Sequence, residues 1–144
     1  MTAAGGGRHT RLFLGRGHAV TAVDKDASRV EAPATIVTAD LEADPWPLGE
    51  ARFASVVVTN YLHRPLFPDI LRALAPDGVL IYETFAIGNE RFGRPSNPDF
   101  LLRHGELLEM AAEGGLRVLA YEDLEVGEPR PACVQRLCAI RLSR

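Results

Sequence analysis

Apolar positions fall into short, nearly continuous runs separated by clusters of Gly, Pro, Asn and Asp, with stretches of helical spacing between some of them. Ala19 to Val23, Thr35 to Ala39, Phe53 to Thr59 and Val79 to Glu83 have the length and β-branched content of strands. Val56-Val57-Val58 has no polar alternation, so Phe53 to Thr59 is expected to be covered on both faces and central to a sheet. Helical spacing marks Arg8 to about Arg16 (closed by Gly17), a brief segment near Ala27 to Val30, and Leu66 to Leu74. Pro76-Asp77-Gly78 turns the last of these into the next strand. Leu101 to Ala112 reads as a further helix, broken near Gly105 and ended by Gly114-Gly115.

Two irregular stretches interrupt this alternation. Leu41 to Arg52 contains Pro45-Trp46-Pro47 and is expected to be a loop, with Trp46 packing over a sheet edge in preference to stacking on a ligand. Ala86 to Pro98 is rich in Gly, Asn, Arg and Pro and is long enough to suggest a functional cover. Arg117 to Val126 and Val134 to Leu142 are joined by Gly127-Glu128-Pro129-Arg130-Pro131, too short for a parallel crossover, so they form an antiparallel hairpin at the sheet edge. The expected fold class is α/β, a three-layer, mostly parallel sheet with a C-terminal antiparallel hairpin.

Composition narrows the picture modestly. The 144 residues are 47% hydrophobic and 24% charged with net charge -3, which suits one domain spanning residues 1–144. This mild acidity argues against nucleic-acid binding through a basic face, and a small-molecule partner is expected instead. No apolar run approaches the roughly 20 residues of a membrane span, and the N-terminus lacks the apolar core of a signal peptide. The expectation is therefore no membrane association and a cytoplasmic setting. Cys133 and Cys138, five apart in one strand, point to opposite faces and read as reduced small hydrophobes. His9, His18, His63 and His104 show no metal-ligand spacing, so no metal is expected.

The chemistry-bearing pattern is a glycine turn, Gly5-Gly6-Gly7, opening a short helix, followed by two strands that each close on an aspartate, Asp24 and Asp40. A helix N-terminus next to a carboxylate at a strand end is how α/β sheets hold adenosine-containing ligands. Taken one at a time, Asp24 also suits a helix cap before Ser28, Asp40 a polar loop, and the glycines a plain N-terminal tail.

Together with Phe53 to His63, Pro76 to Phe85 and the closing hairpin, these segments resemble the class I S-adenosylmethionine-dependent methyltransferases over essentially the whole chain. The resemblance implies a Rossmann-like sheet, S-adenosyl-L-methionine as cofactor and a small-molecule methyl acceptor. It implies that Gly5 and Gly7 let the backbone approach the methionine part, that Asp24 holds the ribose hydroxyls, and that Asp40 and the Leu41 backbone N–H meet the adenine. Asn60 and Tyr61 would lie beside the sulfonium. His63 is the candidate base by placement, with Glu83 second, and Arg91, Arg94 and Asn97 are candidates for binding an acidic substrate or for plain surface.

The resemblance also places Met1 where an acid is expected and leaves only Met1 to Ala4 before the glycine turn. The expectation is a truncated first central strand and a missing N-terminal helix, or another segment filling that slot, with self-association possible through an open edge. Two alternatives to methyl transfer stay open. One is a truncated or non-catalytic adenosylmethionine-binding protein. The other is a nicotinamide-dependent oxidoreductase, disfavoured because Thr10 stands where a dinucleotide turn has its third small residue.

Overall fold

The computed structural model describes residues 21–24, 35–38 and 41–143, and the chain divides into two compact units, Met1–Gly49 and Glu50–Arg144. In the first unit, strands β1 (Thr21–Asp24) and β2 (Thr35–Thr38) pair in parallel, with Asp24 opposite Thr38 at their C-terminal ends. The loop that follows is irregular, as its prolines require, and the Trp46 indole N–H closes its tip by donating to the Gly49 carbonyl at 3.1 Å. The glycine turn with Gly5 and Gly7, the helix Arg8 to Arg16, the segment near Ala27 to Val30, the truncated first strand and Asp40 lie outside the described residues.

The second unit is a four-stranded sheet in the order β3-β4-β6-β5, where β3 is Phe53–Thr59, β4 Leu74–Phe85, β5 Arg117–Val126 and β6 Ala132–Ile140. β3 and β4 are parallel, and β6 runs antiparallel to both β4 and β5. The expected hairpin is therefore present, and its second strand inserts between β4 and β5. Composition explains the choice. β6 buries Ala132, Cys133, Val134, Gln135, Leu137 and Ala139, whereas β5 carries Glu122, Asp123 and Glu125 and is almost wholly exposed. Acidic side chains on an outer strand also discourage edge-to-edge pairing with other chains.

Two helices, α1 (Phe67–Ala73) and α2 (Glu106–Glu113), cover one face of this sheet. Phe67 meets the Tyr82 ring edge-on at 6.1 Å, and the Leu107 N–H donates to the Gln135 side chain at 3.2 Å. Tyr82 pairs with Leu137 and Thr84 with Gln135, so both helices pack against the same set of inward residues. That core comprises Val56, Val58, Leu80, Tyr82, Leu137 and Ala139 below, with Ile70, Ala73, Leu107, Met110 and Ala111 above. Val57 is buried as well, in keeping with the prediction that β3 is covered on both faces. The expected central position of β3 in a wider sheet depends on residues outside those described.

Three boundaries differ from expectation. α1 ends at Ala73 because Leu74 is already extended and paired with Phe53, after which Ala75 to Gly78 bulge out before Val79 rejoins opposite Ser55. α2 begins at Glu106 rather than Leu101: Gly105 adopts φ 77°, and Leu102 is bridged to Ala86 as extended chain. β6 starts at Ala132, two residues before the expected Val134.

Candidate functional site

β3 ends at Thr59, and the backbone then turns sharply through Asn60, whose φ of 53° is left-handed. Asparagine tolerates this conformation better than most residues. The Asn60 N–H still donates to the Glu83 carbonyl at 2.9 Å, so the turn begins within the sheet's hydrogen-bonding pattern. One residue on, the Tyr61 carbonyl accepts from the Tyr82 hydroxyl at 2.7 Å. Tyr82 is fully buried, and burial holds its phenol well above the ordinary range, so it remains a hydrogen donor at all physiological pH. Asn60 is exposed, Tyr61 and His63 half-buried and Leu62 buried. The His63 carbonyl accepts from Leu66 N–H at 3.0 Å, closing the 3-10 turn Arg64–Leu66. Asn60, Tyr61 and His63 thus share one anchored segment at the carboxyl end of β3, the end at which parallel sheets carry their ligand sites.

Arg64 secures the far side of that segment. Its Nε and Nη2 grip the Glu106 carboxylate at 2.6 and 3.0 Å, and its remaining donors reach the carbonyls of Asp99 at 3.1 Å and Leu101 at 2.8 Å. Glu106 is 3% exposed and also accepts from the Arg103 backbone N–H at 2.9 Å. Burial alone would lift its carboxyl, but the Arg64 and Arg103 hydrogen bonds and positive charges outweigh it and hold the group below its ordinary value. Sequence reasoning missed this pair. The available signal was an acid on the apolar stripe of α2, beside Leu107, Met110 and Ala111.

The Glu83 backbone receives the Asn60 N–H, but its side chain is spent elsewhere. Glu83 lies opposite Arg136 across β4 and β6, and the guanidinium bridges it at 3.1 Å and Glu122 at 3.2 Å, so its carboxylate is engaged in a cross-strand ion-pair row. Within the first unit, Asp24 closes β1 and Leu41 is buried at the head of the following loop. Gly5, Gly7 and Asp40 lie outside the described residues.

The Ala86 to Pro98 loop borders an open cleft of about 410 Å³, lined by Ile87, Arg91, His104, Asp123, Glu125 and Cys133 among others. Buried Asn89 ties the loop down, donating to the Pro95 carbonyl and accepting from the Cys133 N–H at 3.2 Å. Arg91 is committed within the cleft to Glu125 at 2.9 Å, Cys133 Sγ at 3.3 Å and the Gly88 carbonyl at 3.1 Å. Asn97 caps the turn Pro98–Phe100 by accepting from Asp99 N–H, and Arg94 is exposed. Arg91, Arg94 and Asn97 therefore do different things, and the one that enters the cleft is already neutralised by a carboxylate. Both cysteines are free, Cys133 buried and Cys138 half-buried. Among the described residues no cluster of His, Cys, Asp and Glu could hold a metal ion.

The chain matches no protein-family model and no curated protein in sequence. Solved structures do match. A SAM-dependent methyltransferase from Methanosarcina mazei superposes with a TM-score of 0.74 at 12% identity, covering 99% of this chain and 91% of that one. The 1,6-didemethyltoxoflavin-N1-methyltransferase of Burkholderia thailandensis, with bound 1,6-didemethyltoxoflavin and S-adenosylhomocysteine, gives a TM-score of 0.69 at 23% identity over 99% of this chain and 70% of that one. The chain has the class I S-adenosylmethionine-dependent methyltransferase fold. That fold does not dictate methyl transfer. A [4+2]-cyclase, SpnF, matches with a TM-score of 0.72 at 13% identity over 99% of this chain and 73% of that one. Among the described residues no helix is long and apolar enough to cross a membrane.

Proposed function

We propose that residues 1–144 form one S-adenosylmethionine-binding domain that transfers a methyl group to a small-molecule acceptor. The observation that carries this reading is the likeness of nearly the whole chain to solved SAM-dependent methyltransferases, together with an anchored Asn60 to His63 segment at the carboxyl end of β3. The donor set suits the cofactor. Asp24 offers a carboxylate to the ribose diol, Asp40 and the Leu41 N–H an acceptor and a donor to the adenine, and Gly5 and Gly7 a backbone without side chains toward the methionine part. Asn60 and Tyr61 flank the sulfonium in this reading.

When bound, the cofactor would supply a methyl group activated by its sulfonium for in-line displacement, with the thioether as leaving group. The chain's own contribution is positioning, which can be worth about 7–11 kcal/mol of the barrier. Where the acceptor carries a proton, His63 takes it. The cleft beside the Ala86 to Pro98 loop supplies the acceptor side. With Glu90, Asp123 and Glu125 lining it and Arg91 neutralised, it offers little to an acidic substrate.

A second reading is a protein that binds adenosylmethionine without transferring its methyl; a cyclase of the same fold supports the part of it that sets methyl transfer aside. Thermal melts separate ligand classes first. S-adenosylhomocysteine is expected to raise the melting temperature and NADH to leave it unchanged, because only a ligand of the native state stabilises by mass action. Stabilisation by NADH alone would favour the oxidoreductase reading. Mass spectrometry of small molecules incubated with the protein and methyl-labelled adenosylmethionine then distinguishes transfer from binding.

A further inference from the structure

We infer that Arg64 is a positioning residue: by clamping the segment Asp99 to Glu106, it fixes the conformation of Asn60 to His63 at the end of β3. Three observations carry this. The guanidinium spends its donors on one carboxylate and two backbone carbonyls, all 35 to 42 residues away in sequence. A planar fork engaged at two carboxylate oxygens fixes orientation as well as distance, which a lysine ammonium cannot do. The partner carboxylate is buried, where a charge pair is a poor substitute for apolar packing as a stabiliser and is best understood as setting one arrangement over others.

The other end of the segment is held independently, by Asn60 N–H on the Glu83 carbonyl and by the Tyr82 hydroxyl on the Tyr61 carbonyl. Residues 60 to 63 thus run from an anchor in the sheet at one end to the Arg64 clamp at the other. Because the Ala86 to Pro98 loop runs directly into the clamped segment, Arg64 also joins the residues proposed to face the sulfonium to the border of the proposed acceptor cleft. That last consequence rests on the methyltransferase reading; the positioning itself does not.

The test is hydrogen exchange, followed by mass spectrometry, on the wild-type chain and on Arg64→Lys, which keeps the charge and loses the fork. Glu106→Gln is the second variant and removes the carboxylate charge from the other side. Exchange in the peptide spanning residues 60 to 66 is expected to rise about tenfold in Arg64→Lys, with β4 and β6 unchanged. Unchanged exchange in that peptide, or an equal rise throughout the sheet, would overturn the proposal. Titration with S-adenosylhomocysteine well below the melting temperature is the second arm, with about tenfold weaker binding expected in Arg64→Lys. Wild-type affinity in a variant with raised exchange at residues 60 to 66 would sever that segment from the cofactor. If the wild-type chain itself bound none, the cofactor reading would fall while the exchange result still decided the role of Arg64.

Discussion

At Glu106, burial and charge pull in opposite directions. It is 3% exposed, yet three donors, two on Arg64 and the Arg103 backbone N–H, keep it ionised. Its carboxyl sits below its ordinary value in the folded chain, so the native state binds this proton less readily than the unfolded state. The associated stability is fully present above the unfolded value of roughly 4.3 and is lost as pH falls through the folded value. Glu106→Gln is therefore expected to lower stability at neutral pH by on the order of 3 kcal/mol, the low end for breaking a buried pair, because the Arg64 side chain is 35% exposed. Urea titrations between pH 7 and pH 3 check this: the gap between wild type and variant should narrow as pH drops. A gap that stays constant would place the cost in packing rather than in charge.

At the scale of elements, the strands were legible and the helix ends were not. β3 and β5 span the predicted residues because continuous apolar content and tight flanking turns leave a strand few alternatives. α2 was placed five residues early because Leu101 and Leu102 continue the apolar pattern of the helix; tertiary pairing with Ala86 outweighs that pattern, and Gly105 takes the positive φ that starts the helix. Pro76-Asp77-Gly78 was recognised as a turn, but its pinning was invisible. Asp77 takes φ 63° and its N–H donates to the Arg141 carbonyl at 2.6 Å, while Gly78 accepts from the Arg141 N–H at 2.9 Å. A Cβ on Gly78 would lie 2.7 Å from the Ala75 carbonyl oxygen and 2.9 Å from that of Phe53, both backbone atoms that cannot step aside. Gly78→Ala is expected to cost about 1–3 kcal/mol, read as a lower urea midpoint with an unchanged slope. An unaffected midpoint would show that the bulge between β3 and β4 relaxes freely.

For the molecule as a whole, the class of fold was readable from the order of strands, acids and hairpin, whereas the site was readable only in part. Asp24 and Asn60 to His63 stand out because strand ends in α/β sheets announce ligand positions, and Asp24 closes β1 while Asn60 follows β3. Arg64 and Glu106 do not, because a pair 42 residues apart leaves no local spacing to read. The arginines of the long loop read equally as an acidic-substrate site or as plain surface, and Arg91 is committed to Glu125. Chemistry rests on less than fold does, since relatives of this shape include both methyltransferases and a cyclase. Calorimetric titration of S-adenosylhomocysteine into the wild-type chain and into Asp24→Ala addresses the cofactor directly. One molecule bound per wild-type chain, with affinity at least about tenfold weaker in Asp24→Ala through loss of charge-assisted hydrogen bonds to the ribose, is the expected result. No binding by the wild-type chain, or equal binding by both, would contradict it.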